Sequence, residues 1–208
     1  TILYQKGLYK QSLKILDKVK SYALKYDENT SAYEIVEFEK LIESLYVTRS
    51  LSNRTDELVS QTNHLKQLND ISSSLSNISL QLYEKLIKAG YAKSDSESKE
   101  IKSVFKRKIK DFNPKKLGFR EKLIYYQSWV WYSLLVQDFL STYKYASKWI
   151  NTFNKNPEMI KIHPVYYLKG YNFLLEALSL IKHPSKFKNC LNDMIEFVED
   201  SEFHVNQN

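Results

Sequence analysis

The chain has 208 residues, of which 43% are hydrophobic and 26% are charged, an ordinary composition for a globular protein. Only 4 Gly and 4 Pro occur, which argues for long helices and against a many-stranded sheet with its Gly- and Pro-rich hairpins. A single cysteine, Cys190, excludes an internal disulfide, no apolar run approaches the roughly 18 residues of a membrane span, and the formal net charge is +7.

The first predicted element is a helix over Leu3 to Lys25, interrupted by a tight turn at Gly7. Only a stub precedes Gly7, so we expect the natural protein to extend upstream. The helix after the turn carries a stripe that needs cover on two sides. We therefore expect self-association through this stripe or a frayed first helix. The stripe residues are Ser12, Leu13, Leu16, Val19 and Ala23.

Two helices are predicted next. The first runs from Ser31, which can form a capping box with Glu34, to about Ser50. The second runs from Thr55 to Gly90, with apolar residues spaced three or four apart after Leu65. Carboxylate pairs such as Glu37/Glu39 and Glu196/Glu199 are expected on solvated helix faces. The apolar residues of the long helix are Leu65, Leu68, Ile71, Leu75, Ile78, Leu82 and Leu86.

Five further segments complete the chain. Ser94 caps a helix whose core residues are Ile101, Phe105 and Ile109 and which Pro114 ends. A helix over 120–140, a turn at 141–142 and a partner helix over 143–154 follow. Helices over 164–181 and from 184 to about 200 each begin with a proline, so His163 and His183 are expected to be turn residues. The tail 201–208 has no packing pattern.

Three helices share one pattern, in which an aromatic residue is followed by a small residue at offset three and by larger apolar residues at offsets seven and ten. The copies are Tyr9, Ser12, Leu16, Val19; Tyr143, Ala146, Ile150, Phe153; and Phe187, Cys190, Met194, Phe197. The pattern resembles the tetratricopeptide repeat, and the chain resembles the divergent tetratricopeptide-like proteins of many bacterial genomes. Two copies are 44 residues apart, Tyr143 to Phe187, which is longer than the family period of about 34.

The resemblance implies an all-α fold of about eight helices, stacked as antiparallel hairpins into a right-handed α-solenoid. We expect a single helical-repeat domain over 1–200. Its parts are the first hairpins (1–53), an irregular long helix with a basic segment (54–122) and two repeat-like hairpins (123–200), followed by the tail 201–208.

We expect a non-enzymatic, cytoplasmic scaffold that needs no metal or cofactor. The sequence has no Gly-rich phosphate loop, no His-Glu-x-x-His and no nucleophile elbow, and its four histidines are far apart. In such a scaffold a partner protein or peptide lies on the concave face of the array. Aligning the small residues Ala146 and Cys190 places Ser128, Trp131, Asn172 and Leu175 near that face, although Trp131 fits the core equally well.

The alternative function is binding of nucleic acid or another polyanion. Residues 99–122 hold ten basic and three acidic residues, and ten minus three equals the +7 of the whole chain. Phe105, Phe112 and Phe119 would be available for base stacking. The competing interpretation is a solvated helix face whose phenylalanines face the core. The polyanion candidates are Lys106, Arg107, Lys108, Lys110, Lys115 and Lys116.

Overall fold

The fold was taken from a computed structural model, which describes residues 2–45 and 54–200. Within these ranges every regular element is a helix, which confirms the all-α prediction. Ten helices occur there, and eight of them have 15 or more residues. They are α1 (Ile2–Gln5), α2 (Tyr9–Lys25), α3 (Asn29–Leu45), α4 (Arg54–Ala89), α5 (Asp95–Ile109), α6 (Phe119–Leu135), α7 (Phe139–Asn154), α8 (Glu158–Ile162), α9 (Pro164–Leu180) and α10 (Pro184–Asp200).

The chain forms two compact units, an N-terminal unit of residues 1–74 and a C-terminal unit of residues 75–208. The boundary falls inside α4, the single long helix that was predicted over this region. Residues 46–50 of the predicted second helix and the tail 201–208 lie outside the described residues. The sequence-based division at residues 53 and 122 follows the expected hairpins and the basic segment, and it stays a prediction.

The core of the N-terminal unit lies where α2, α3 and the first turns of α4 meet. Ala32 and Val36 are fully buried there, and they pack with Ala23, Leu58 and Leu65 in one apolar cluster. In the predicted stripe on α2, Ser12, Leu13 and Ala23 are buried and Leu16 is half-buried, whereas Val19 is 47% exposed. Lys20, the residue after Val19, is buried, and its charged partner lies on α3.

That partner is Glu39, and the pair lies inside the N-terminal unit. Lys20 Nζ donates to Glu39 Oε2 at 2.5 Å, and Arg54 Nη2 lies 3.5 Å from the same oxygen. Glu39 is 0% exposed, so the expectation that it lies on a solvated face is wrong. Burial raises the pKa of the Glu39 carboxyl, and Lys20 and Arg54 oppose that rise. A buried carboxylate is tolerated at this position because two cations reach it.

The core of the C-terminal unit is built by α6, α7, α9 and α10, which pack one on the next in chain order. Trp149, Phe153 and Phe173 are the large side chains at its centre, each at most 2% exposed. The small residues Ala146 and Cys190 are buried, as their place in the repeated pattern predicts. Burial, together with Asp193, raises the pKa of the Cys190 thiol to about 11.

Four helix–helix turns share one hydrogen-bond pattern. In each, one residue has a positive φ and donates its N–H to the carbonyl three residues earlier, while the next residue donates to the carbonyl five residues earlier. This is the Schellman termination of a helix. The four positive-φ residues are Gly7, Asp27, Gln137 and Lys182.

The three copies of the repeated sequence pattern begin at different distances from the turn that precedes them. The opening aromatic follows the positive-φ residue by two, six and five positions in the copies that begin at Tyr9, Tyr143 and Phe187. The predicted turn at 141–142 is wrong, because α6 ends at Leu135 and α7 begins at Phe139. Asp138 caps α7, its side chain accepting a hydrogen bond from the Ser141 N–H at 3.0 Å.

The cap and the core stripe of α5 are confirmed. The Ser94 hydroxyl accepts a hydrogen bond from the Glu97 N–H at 3.2 Å, and Ile101, Phe105 and Ile109 are buried. The Phe105 ring stacks on Tyr132 with centroids 4.3 Å apart. Phe119, which opens α6, meets Phe153 edge to face at 4.9 Å and is also buried. Two of the three phenylalanines considered for base stacking are therefore core residues.

Candidate functional site

A cluster of aromatic and polar side chains joins α6 to α9 in the C-terminal unit. The Gln127 amide is assigned with its oxygen toward two donors, because the opposite orientation would face its nitrogen to them; this oxygen then lies 3.1 Å from Lys169 Nζ and 3.2 Å from Trp131 Nε1. Trp131 meets Phe173 edge to face at 4.9 Å, and Tyr83 from the end of α4 lies 5.0 Å from the Trp131 ring centroid. We call the surface formed by Gln127, Trp131 and Lys169 the α6–α9 face, and Phe173 is buried beneath it.

Helix geometry explains why these four residues converge. Gln127 and Trp131 are four residues apart on α6, and Lys169 and Phe173 are four apart on α9, so each pair lies on one side of its helix. Both helices pack against α7. Two helices held on a common third helix bring their adjacent sides together, and the side chains of the two pairs then meet.

Lys169 is the electrostatically unusual member of this face. Its side chain is partly buried, and this burial lowers the pKa of its ammonium group. Its Nζ lies 5.8 Å from the centroid of the Phe173 ring. Within the described ranges no carboxylate lies at ion-pair distance from Lys169. The cation is thus partly desolvated, and the neutral Gln127 amide and the Phe173 ring lie near it.

The four residues predicted to lie near a groove have different environments. Trp131 belongs to the α6–α9 face and is half-buried, while Asn172 is exposed and Leu175 is half-buried on the same helix as Lys169. Ser128 is 0% exposed, and its hydroxyl donates to the Ile124 carbonyl at 2.9 Å. Ser128 therefore fills the helix packing and does not present its hydroxyl to a partner.

Sequence reasoning missed Gln127, Lys169 and Phe173. Each has an ordinary amphipathic-helix setting, and their significance depends on the rotation of α6 relative to α9. A signal was present in the repeated spacing of a polar residue followed four positions later by an aromatic one, at 127/131 and 169/173. The groove alignment relied on the small positions of the following helices and so selected neighbouring residues.

The six polyanion candidates are all exposed. Lys106, Arg107 and Lys108 lie in the last turn of α5, where cations interact favourably with the helix dipole. Lys108 Nζ also donates to Gln81 Oε1 at 2.5 Å. The other candidates, Lys110, Lys115 and Lys116, follow the helix, and the Lys115 N–H donates to the Asn113 side chain at 3.0 Å.

Two searches of the described residues bear on other classes of site. No group of three or more His, Cys, Asp or Glu side chains in ranges 2–45 and 54–200 is arranged to hold a metal ion. Across the same ranges no helix combines the length and the apolar character needed to cross a membrane.

Comparison with protein-family models, with curated proteins and with solved structures found no match for this chain.

Proposed function

We propose that the chain is a tetratricopeptide-like helical scaffold, without enzymatic activity, that binds a protein or peptide through the α6–α9 face. Three features support this proposal. The hairpins α6/α7 and α9/α10 have the same turn geometry, their small residues Ala146 and Cys190 are buried, and the first helices of the two hairpins meet at one surface. In stacked hairpins the first helices line the concave side, where partners lie.

The observation that carries the proposal is the environment of Lys169. A partly buried ammonium group without a carboxylate partner costs stability, because burial penalises its charged form. A ligand carboxylate would offset that cost by forming a charge-assisted hydrogen bond, and Trp131 beside it offers an apolar surface to the ligand side chain. The partner feature that fits is a carboxylate next to a large apolar side chain.

Short labelled peptides test this function by fluorescence anisotropy. One peptide ends in Leu with a free carboxylate, a second is the same peptide with an amidated end, and a third is amidated but carries an internal Glu beside the Leu. We expect the first or third peptide to bind at least about tenfold more tightly than the second, since a hydrogen bond to a charged group contributes about 1.5–3 kcal/mol.

Two variants locate the binding. Lys169→Met should remove the preference for a carboxylate, and Trp131→Ala should weaken all three peptides. Lys188→Met, a matched change at an exposed lysine of α10, should have no effect. Equal binding of all three peptides by the wild-type protein, or an unchanged preference in Lys169→Met, would refute the assignment.

Nucleic-acid or other polyanion binding through residues 99–122 is the second candidate function. The exposure of all six candidate cations favours it, whereas burial of Phe105 and Phe119 removes two of the rings that would stack on bases. Salt distinguishes the two candidates. Affinity for a 20-nucleotide single strand should fall steeply with salt if this function is correct, and binding through Trp131 should depend on salt much less.

A further inference from the structure

A concave surface lies in the C-terminal unit, between residues 78–85 of α4 and residues 100–108 of α5. It encloses about 260 Å³. Five of its nine lining residues are apolar, and Val104 among them is 36% exposed. We call this surface the α4–α5 groove. Its apolar residues are Ile78, Leu82, Ile101, Val104 and Phe105.

The polar residues of the groove are mainly cationic or neutral. Lys85 and Lys108 line it, and Glu100 is the single acidic residue among the nine. Lys108 donates to the neutral Gln81 amide and not to a carboxylate. Within the described residues neither lysine forms an ion pair, so both ammonium groups are available to a bound carboxylate.

One further cation lies beside the groove on α5. Arg107 is exposed and precedes the lining residue Lys108, so it lies about 100° from Lys108 around the helix. Lys102 and Lys106 are also exposed, but they follow Ile101 and Phe105 on the side of α5 that turns away from the groove. The cations in or next to the groove are therefore Lys85, Lys108 and Arg107, against the one carboxylate of Glu100 among its lining residues.

We infer that the α4–α5 groove binds an acidic amphipathic helix of a partner protein, at a site separate from the α6–α9 face. Its volume is below the roughly 300–1,000 Å³ of small-molecule pockets, which favours one or two apolar side chains over a whole cofactor. Ile78 to Lys85 spans seven residues, so the groove is about 10 Å long. That length accepts two anchors one helical turn apart, the spacing of helix-in-groove recognition. Carboxylates flanking the anchors meet Lys85 and Lys108.

The groove surface fits an acidic helix better than a nucleic acid. Phe105 reaches the groove but is only 2% exposed, because its ring is held between Tyr132 and Trp129. The other apolar lining residues are aliphatic and present no ring to a base. Single-stranded nucleic acids depend on stacking for part of their affinity, whereas aliphatic residues match the Leu or Ile anchors of a helix.

Four 16-residue peptides provide the test, measured by anisotropy with the full chain. The first has two Leu four residues apart with Glu on both sides. The second replaces both Leu with Ser, the third replaces every Glu with Gln, and the fourth replaces both Leu with Phe. We expect the first or fourth to bind and the second and third to bind at least about tenfold more weakly.

Matched variants of the protein test whether the peptide binds in the α4–α5 groove. Val104→Glu puts a negative charge at the groove wall and should lower the affinity at least about tenfold. Leu80→Glu is the control, since Leu80 is 64% exposed on α4 and does not line the groove. Lys108→Glu should also weaken binding, while Lys188→Glu on α10 should not. Circular dichroism of each variant checks that the fold is retained.

Several results would overturn the inference. The first is that none of the four peptides binds, the second is that the first two peptides bind equally well, and the third is that Val104→Glu leaves the affinity of the first peptide unchanged. Displacement of the peptide by a 20-nucleotide strand that binds more tightly, and whose affinity Lys108→Glu also lowers, would assign the surface to nucleic acid instead. None of these outcomes involves Lys169, so the inference and the proposed function can fail independently.

Discussion

Gly170 of α9 lies so close to the Trp149 indole of α7 that a Cβ atom at Gly170 would be 2.3 Å from Trp149 Cδ1. The indole is fixed in this position because its Nε1 donates to the Tyr166 carbonyl at 2.8 Å. A helix interior normally disfavours glycine by roughly 1 kcal/mol relative to alanine. The close approach of the two helices explains why this cost is accepted here.

Gly170→Ala should therefore destabilise the protein, although alanine is the better helix former. Overpacking of a core costs about 1–3 kcal/mol, which exceeds the gain in helix propensity. Urea unfolding followed by circular dichroism measures the change. In Trp149→Phe the smaller ring relieves the clash, so Gly170→Ala should cost less in that background. A stabilising Gly170→Ala would show that α7 and α9 are not in such close contact.

The turns show which parts of the fold could be predicted from sequence. Gly7 and Gly90 were recognised as turn and helix end because glycine readily adopts a positive φ, and both do so. Gln137 and Lys182 have the same conformation without a glycine to mark it. The predicted turn at 141–142 was consequently misplaced, whereas the apolar spacing of α4 and α5 located both helices.

The buried charges and the binding face show why the rest was missed. Lys20 and Glu39 each look like surface residues alone, and only the packing of α2 on α3 brings them together. Both do fall at helical spacing from buried residues, Lys20 from Leu13 and Glu39 from Val36. Opposite charges on facing stripes were the available signal. The α6–α9 face left only the repeated spacing at 127/131 and 169/173, and that spacing does not show that the two pairs meet, because their meeting depends on how two helices are rotated.

Removing one partner of the Lys20–Glu39 pair should be strongly destabilising. Lys20→Met leaves the carboxylate of Glu39 buried, and Glu39→Leu leaves Lys20 without its closest anion. Breaking a buried pair in this way costs about 3–5 kcal/mol. Replacing both residues together should cost much less, since apolar residues of similar volume often match or exceed the stability of a buried ion pair.

A double-mutant cycle in urea checks this expectation. The control is Lys88→Met on α4, whose partner Glu84 lies with it on the exposed surface. Exposed pairs contribute little, so that change should be small. Additive effects of Lys20→Met and Glu39→Leu would mean that the two side chains are not coupled in the folded protein.

Cys190 should react slowly with thiol reagents in the folded protein. Its pKa of about 11 lies above its ordinary value of 9.0, so the reactive thiolate at pH 8 should be about 100-fold less populated than in the unfolded chain. Alkylation with and without urea measures the difference. Equal rates in both states would show that the thiol is exposed.

The same shift in pKa affects stability at high pH. Because the folded-state pKa is the higher one, the contribution of the protonated thiol is complete below pH 9 and is lost as the pH rises towards about 11. The stability of the wild-type protein should therefore fall relative to Cys190→Ala across this window. An unchanged difference between the two proteins from pH 8 to 11 would contradict the raised pKa.

Lys169→Met should stabilise the protein while weakening ligand binding. The methionine keeps most of the stem that packs near Phe173 and removes an ammonium group whose pKa is lowered by burial. The free energy of unfolding should rise by about 0.5–2 kcal/mol, the usual size of a single stabilising substitution. Since the folded-state pKa lies below the ordinary value of 10.5, the gain should be present at neutral pH and should be lost as the pH rises through the folded-state pKa to 10.5, above which the lysine is uncharged in both states. Lys188→Met, at an exposed site, should leave the free energy of unfolding unchanged. A destabilised Lys169→Met protein would show that the ammonium group is structurally satisfied and would remove the main support for the α6–α9 face as a binding site.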